Sequence, residues 1–187
     1  MILSKRVYMD NRIITVPNIL SIVRIYSSIP IAFFFWLKDY NATLLILIFA
    51  YATDALDGFI ARQFNQTSEW GKILDPIGDK VISTSISILL LQRGVLDLYF
   101  VVVVILRDIL ISILSMRTIK NQKLVFQAVF VGKLLTFLLA ILYSLSIINL
   151  MNLITLNTIK VLQTICLIFV FISGMYYLIM YLKNDKK

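Results

Sequence analysis

Residues 42–64 read ATLLILIFAYATDALDGFIARQF. Residues 42–53 carry no charge and run long enough to enter a bilayer, yet Asp54, Asp57 and Arg62 follow without a break in apolar character. A stretch of about 20 apolar residues spans a hydrocarbon core. A carboxylate within it costs about 2.5–3.5 kcal/mol even on the lenient insertion scale. The stretch therefore reads as a membrane helix that keeps expensive groups for a reason.

The chain around it supports a membrane class. Of 187 residues, 60% are hydrophobic and 15% charged, with a mean hydropathy of +0.91. Soluble domains run near 45–50% apolar and about 25% charged, and a globule of this size could not cover so much apolar side chain. A soluble domain, a disordered chain and a disulfide scaffold are excluded. We expect an all-α, polytopic membrane protein with six transmembrane helices, at about 17–38, 42–64, 76–92, 96–116, 124–148 and 158–182, joined by short turns. Residues 17–187 form one helical domain. Residues 1–16 mix Lys5, Arg6 and Arg12 with apolar residues and read as a short interfacial helix. A signal peptide fits less well, because the next apolar stretch is too long and carries Arg24.

Orientation follows from Lys and Arg in the connections. Lys5, Arg6 and Arg12, then Arg62 and Lys72, then Arg117, Lys120 and Lys123, and finally Lys183, Lys186 and Lys187 lie on one side. The other side has Lys38, Arg93 and Lys160. The positive-inside rule predicts both termini in the cytoplasm. The net charge of +8 is then topology and headgroup contact rather than a nucleic-acid signal. Aromatic residues near span ends (Trp36, Tyr40, Trp70, Tyr99, Tyr176, Tyr177) read as interface anchors.

Five of the ten acidic residues fall between positions 54 and 79: Asp54, Asp57, Glu69, Asp75 and Asp79. Glu69 reads as a solvated turn residue. Asp54 and Asp57 are three apart and share a helix face; Asp75 and Asp79 are four apart and do the same. Asp75 before Pro76 suggests a helix cap with proline at the first helical position. Spans 2 and 3 are expected to be antiparallel neighbours, with the two pairs facing each other. The chain has no histidine and a single cysteine, Cys166, read as a packing residue. Oxygen-only coordination of one or two Mg²⁺ or Mn²⁺ ions follows. Gly58 and Ala61 keep one helix face small, and Arg62 suits bidentate phosphate binding.

Residues 54–79, DALDGFIARQFNQTSEWGKILDPIGD, resemble the signature D-x₂-D-G-x₂-A-R-x₈-G-x₃-D-x₃-D of the CDP-alcohol phosphatidyltransferase family. All eight fixed identities are present: Asp54, Asp57, Gly58, Ala61, Arg62, Gly71, Asp75 and Asp79. Asn18, Ser21 and Arg24 also resemble an element of the family's first span. Arg107-Asp108 and Gly132-Lys133 look like pairs of the branches that use glycerol 3-phosphate or phosphatidylglycerol as acceptor. One departure stands: Leu114-Ser115 occupies the place of a Leu-Arg pair common in the glycerol 3-phosphate branch.

The resemblance implies transfer of a phosphatidyl group from CDP-diacylglycerol to a small phosphorylated alcohol or a phospholipid acceptor, with release of CMP. It implies metal ligands Asp54, Asp57, Asp75 and Asp79, with Asp79 as general base. It implies CDP contacts from Asp54, Gly58, Ala61, Arg62, Gly71 and Asp75. Arg24, Arg107 and Lys133 are candidate acceptor-phosphate ligands. It further implies a homodimer and, with no transit peptide evident, a bacterial cytoplasmic membrane with the active site on the cytoplasmic side. Serine or inositol phosphate are further acceptors within the same family.

Blander readings stand beside these. Arg24 equally suits pairing with a helix carboxylate, and Arg107 pairing with Asp108 or Asp79. Lys72 and Lys80 read as interfacial lysines snorkelling to headgroups. A Mg²⁺ transporter is the non-enzyme reading. It calls for acidic residues through the full membrane depth, whereas these cluster at one depth.

Overall fold

The structure is a computed structural model that describes residues 16–63, 71–120 and 130–185. Residues 16–18, 54–63, 71–77, 79, 114–120, 130 and 181–185 are described by backbone alone. Six helices follow one another: α1 (Val16–Trp36), α2 (Tyr40–Gln63), α3 (Gly71–Gln92), α4 (Leu98–Lys120), α5 (Phe130–Leu150) and α6 (Leu156–Asp185). No strand occurs among the described residues. The interfacial helix expected over 1–16 lies outside them, save Val16, which opens α1.

Three helices are long and apolar enough to cross a membrane among the described residues: Ile19–Trp36, Val131–Leu150 and Leu156–Met180. Shorter apolar helical stretches run over Tyr40–Thr53 and Lys80–Gln92. Three of the six expected spans thus meet that measure among the described residues. Large apolar side chains such as Phe33, Leu45, Leu106 and Phe171 are exposed on the outer surface. That is the pattern of a bundle solvated by lipid.

The turns at one end of the bundle share a mechanism. After α1, the amide of Lys38 donates to the Phe35 carbonyl and that of Asp39 to the Phe34 carbonyl, with Lys38 at φ 61°. After α3, Gly94 donates to Leu91 and Val95 to Leu90, with Gly94 at φ 72°. After α5, Asn152 donates to Asn149 and Leu153 to Ile148, with Asn152 at φ 61°. Each is a Schellman stop, in which one left-handed residue lets the next amides satisfy the last carbonyls. Asp39 then caps α2, its Oδ1 accepting from the Ala42 amide at 3.0 Å.

α1 packs against both α2 and α3 and is the main described neighbour of each. The ends of α2 and α3 where the two were expected to pair lie outside the residues described with side chains. The small Ser21 and Gly78 allow α1 to lie closely against α3. α5 packs on α6 and α2, and α4 on α6 and α3. Ile31, Phe35, Leu47, Ile86, Leu90 and Leu142 are among the core residues.

α6 buries one narrow stripe: Ile159, Gln163, Cys166, Val170, Ser173 and Tyr177, at alternating spacings of four and three. That spacing keeps one face toward the bundle. Cys166 is a core residue, as its mid-span position suggested. Tyr177 is buried rather than an interface anchor, because it fills the space above Gly132, where a β-carbon would lie 3.0 Å from its hydroxyl. Trp36 and Tyr99 are exposed near helix ends.

Candidate active site

The eight signature positions occupy the last turns of α2 and the first turns of α3. Asp54, Asp57, Gly58, Ala61 and Arg62 fall within Tyr40–Gln63, and Gly71, Asp75 and Asp79 within Gly71–Gln92. α3 begins at Gly71, so Asp75 lies inside the helix rather than at its cap. Near the amino end proline forfeits only one i→i−4 bond, so Lys72, Ile73 and Leu74 continue the helix ahead of Pro76. The side chains of the signature residues lie outside the described ones, as does the connection holding Glu69 and Trp70. The described surroundings set the site's frame.

At Gly78, α3 comes close to α1. A β-carbon there would lie 3.3 Å from the Ser21 carbonyl oxygen, 3.7 Å from Ile25 Cγ1 and 3.8 Å from Arg24 Cδ. The Arg24 side chain is therefore packed against the residue preceding Asp79, and it is only 2% exposed. Burying a guanidinium costs several kcal/mol unless anions or carbonyls meet it. Its place beside the carboxylate-bearing turn of α3 is the kind of setting that offsets that cost. The hydroxyls of Ser27 and Ser28 donate to the Arg24 and Ile25 carbonyls at 2.6 and 2.7 Å, just before Pro30 interrupts the α1 hydrogen-bond ladder.

On the other side of Asp79, Lys80 reaches α4. Its ammonium donates to the Asp108 carbonyl at 2.5 Å and to Ser112 Oγ at 2.7 Å, and Ser112 Oγ donates to the same carbonyl at 2.8 Å. Lys80 is thus an interhelical tether, and not the snorkelling lysine expected. An inward carbonyl offers it a partner without a trip to the headgroups.

Arg107 lies at the level of this tether. Its Nη1 donates to Asp108 Oδ1 at 2.7 Å, while Nε and Nη2 both donate to Ser173 Oγ, at 2.9 and 2.7 Å. The side chains of Arg107 and Asp108 are 10% and 14% exposed. Pairing of Arg107 with Asp108, one of the two readings of this arginine, is therefore present, and two of its five N–H groups remain unengaged among the described residues. Lys133 is exposed on α5 and is not brought to Arg24 or Arg107 among the described contacts.

Ser112 and Ser173 escaped the reading of the sequence. A third group did as well: the buried Tyr143 hydroxyl of α5 is bonded to Ser87 Oγ at 2.7 Å and to Ser83 Oγ at 3.3 Å. Asp79, Ser83 and Ser87 follow at spacings of four on α3, and that periodicity was the available signal. For Ser173 the sequence held no such signal, because the inward stripe of α6 shows only in the fold.

Comparison with known proteins agrees with the site. The family model for CDP-alcohol phosphatidyltransferase matches residues 14–180. A CDP-diacylglycerol–glycerol-3-phosphate 3-phosphatidyltransferase of Aquifex aeolicus is 31% identical over 166 residues, covering 87% of this chain and 93% of that protein. A CMP-forming cardiolipin synthase of Streptomyces coelicolor is 31% identical over 148 residues, 74% of this chain and 67% of that one. A putative cardiolipin synthase of Mycobacterium tuberculosis is 36% identical over 106 residues, which is half of its own length. Membrane helices, the eight signature identities in α2 and α3, and a family match over most of the chain lead to one assignment: the protein belongs to the CDP-alcohol phosphatidyltransferase family and is a transferase of phospholipid synthesis.

Proposed function

We propose that the enzyme transfers the phosphatidyl group of CDP-diacylglycerol to the hydroxyl of glycerol 3-phosphate and releases CMP. The observation that carries this reading is the likeness to the Aquifex glycerol-3-phosphate enzyme, which extends over 93% of that protein.

The donor set fits a hard divalent cation. Asp54, Asp57, Asp75 and Asp79 supply carboxylates alone, in a chain without histidine whose single cysteine is buried in the α6 stripe. These four would hold Mg²⁺ or Mn²⁺, as two ions in our reading. When bound, the metal would neutralise the pyrophosphate and the charge of the departing CMP. Gly58, Ala61, Arg62 and Gly71 bind the CDP portion. Asp79 accepts the proton of the acceptor hydroxyl as its oxygen bonds to the phosphatidyl phosphorus and the bond from that phosphorus to CMP breaks. Arg24 and Arg107 hold the acceptor phosphate, with Lys133 at the periphery. Positive-inside charge distribution supports a cytoplasmic site and cytoplasmic termini.

A second reading takes phosphatidylglycerol as acceptor. It is supported by the Streptomyces cardiolipin synthase, which matches 74% of this chain. One assay separates them. Purified enzyme in detergent, with CDP-diacylglycerol and Mn²⁺, is given glycerol 3-phosphate, phosphatidylglycerol, serine or inositol phosphate, and CMP and lipid products are measured. Product with glycerol 3-phosphate is expected; cardiolipin as the main product overturns the first reading. Asp79→Asn should abolish turnover, and persistent turnover would remove Asp79 from the role of base.

A further inference from the structure

Ser173 is a polar residue within the apolar run Leu156–Met180 of α6. Its flanking residues Phe171, Ile172, Met175 and Tyr176 are exposed, while Ser173 itself is buried. A buried hydroxyl in this setting requires a partner, and its partner is Arg107 of α4. Nε and Nη2 meet the same oxygen, at 2.9 and 2.7 Å. Two donors of one rigid planar fork on one acceptor fix both the position and the plane of the guanidinium. Asp108 takes one proton of Nη1 at 2.7 Å. Among the described residues, the unengaged N–H groups are then one on each terminal nitrogen, and such a pair can meet two oxygens of a phosphate.

We infer that Ser173 is a positioning residue for the acceptor: it holds the Arg107 guanidinium in the orientation that receives the phosphate of a phosphomonoester alcohol. The inference rests on the reading of Arg107 as an acceptor-phosphate ligand. It brings α6, which lies beyond the signature, into the acceptor site. Without the Ser173 oxygen, Asp108 alone restrains a long side chain, and the guanidinium must be ordered at the cost of acceptor binding. The neighbouring Gly174 leaves room at ordinary contact distance: a β-carbon there would lie 4.0 Å from Arg107 Cγ.

Steady-state kinetics on the full-length enzyme, varying glycerol 3-phosphate and CDP-diacylglycerol separately, tests this. Ser173→Ala should raise KM for glycerol 3-phosphate about tenfold, the loss expected for bonds to a charged group. KM for CDP-diacylglycerol and kcat should change by less than about twofold. Ser173→Cys, close in volume but a weak acceptor, should behave like alanine. Ser173→Thr should restore the wild-type KM. Gly174→Ala should be silent. Arg107→Lys should raise the same KM, and adding Ser173→Ala to it should do no further harm.

An effect of Arg107→Lys with none of Ser173→Ala or Ser173→Cys overturns the inference and leaves the role of Arg107 standing. An unchanged acceptor KM in Arg107→Lys removes that role and the inference with it. A uniform loss of kcat and both KM values, not rescued by threonine, makes Ser173 purely structural and also overturns it. Wild-type turnover with a phosphodiester acceptor alone overturns both readings.

Discussion

Gly78 and Ser21 meet where α3 crosses α1, so closely that a β-carbon at 78 would stand 3.3 Å from the Ser21 carbonyl oxygen. The backbone next to Asp79 thus rests directly on the helix that carries Arg24. Alanine at 78 asks α1 to yield by a few tenths of an ångström, while gaining about 1 kcal/mol of helix propensity over glycine. Gly78→Ala should therefore stay within about twofold of wild-type activity. Gly78→Leu must push α1 away, costing roughly 1–3 kcal/mol as overpacking does. It should lose most activity while the protein still inserts, as followed by CMP release against detergent-extracted yield.

Lys80 extends the same turn of α3 toward α4. Its ammonium holds the Asp108 carbonyl and Ser112 Oγ, so Gly78 and Lys80 grip neighbouring helices on either side of Asp79. Lys80→Met removes the tether and keeps most of the apolar stem. A displacement near 1 Å at a reacting group can cost about a hundredfold. We expect kcat to fall about ten- to a hundredfold and Lys80→Arg to recover part of it. An unchanged kcat in Lys80→Met would show that α3 keeps its place without α4.

The two kinds of site residue differ in how visible they are in the sequence. Asp54, Asp57, Asp75 and Asp79 stand out because a carboxylate in an apolar span is costly, so its presence alone is informative. Arg24 and Arg107 stand out for the same reason. Ser173, Ser112 and Ser83 do not, since a serine in a helix costs little and satisfies itself on the preceding turn. Which face of α6 turns inward depends on α4 and α5, and an almost wholly apolar helix leaves that face unmarked in the local pattern. The helices themselves were legible from apolar runs and turn residues. The position of α1 against both α2 and α3 was not, because a short α2–α3 connection says only that the chain turns back. Asp75 precedes a proline, a pattern that suits a first turn, yet the helix begins earlier, at Gly71.

Tyr143 joins α5 to the face of α3 that continues from Asp79. Its hydroxyl meets Ser87 Oγ at 2.7 Å, and Ser87 Oγ also donates to the Ser83 carbonyl at 2.6 Å. In Tyr143→Phe the Ser87 proton keeps that carbonyl as its acceptor. Two interhelical contacts are lost, to Ser87 Oγ and Ser83 Oγ, together worth about 1 kcal/mol at the ~0.6 kcal/mol average for such bonds in membrane proteins. Stability in a detergent unfolding titration should fall by about that amount, with activity within threefold. Tyr143→Ala also empties a fully buried ring site and should cost about 3–5 kcal/mol. Equal losses for the two variants would mean that the hydroxyl, and not the ring, holds α3 to α5.

The end of the bundle opposite the signature has its own charge pair, and acid should test it. Lys160 Nζ lies 2.6 Å from Asp97 Oδ1, and Gln163 Nε2 donates to Oδ2 at 2.6 Å. Bonding from Lys160 first, and Gln163 next, holds the Asp97 carboxyl below the usual carboxylate range. A folded-state value below the unfolded one means the stabilisation is complete above the unfolded pKa, near 3.9, and disappears as pH falls through the folded value. Both partners are about one-third exposed, so the contribution is at most about 1 kcal/mol. Melting temperatures of wild type and Asp97→Asn should differ by a constant amount from pH 7 to about 5 and converge below about pH 4. A difference that persists undiminished at pH 3 would assign the stabilisation to the neutral Gln163 contact instead of the ionised carboxylate.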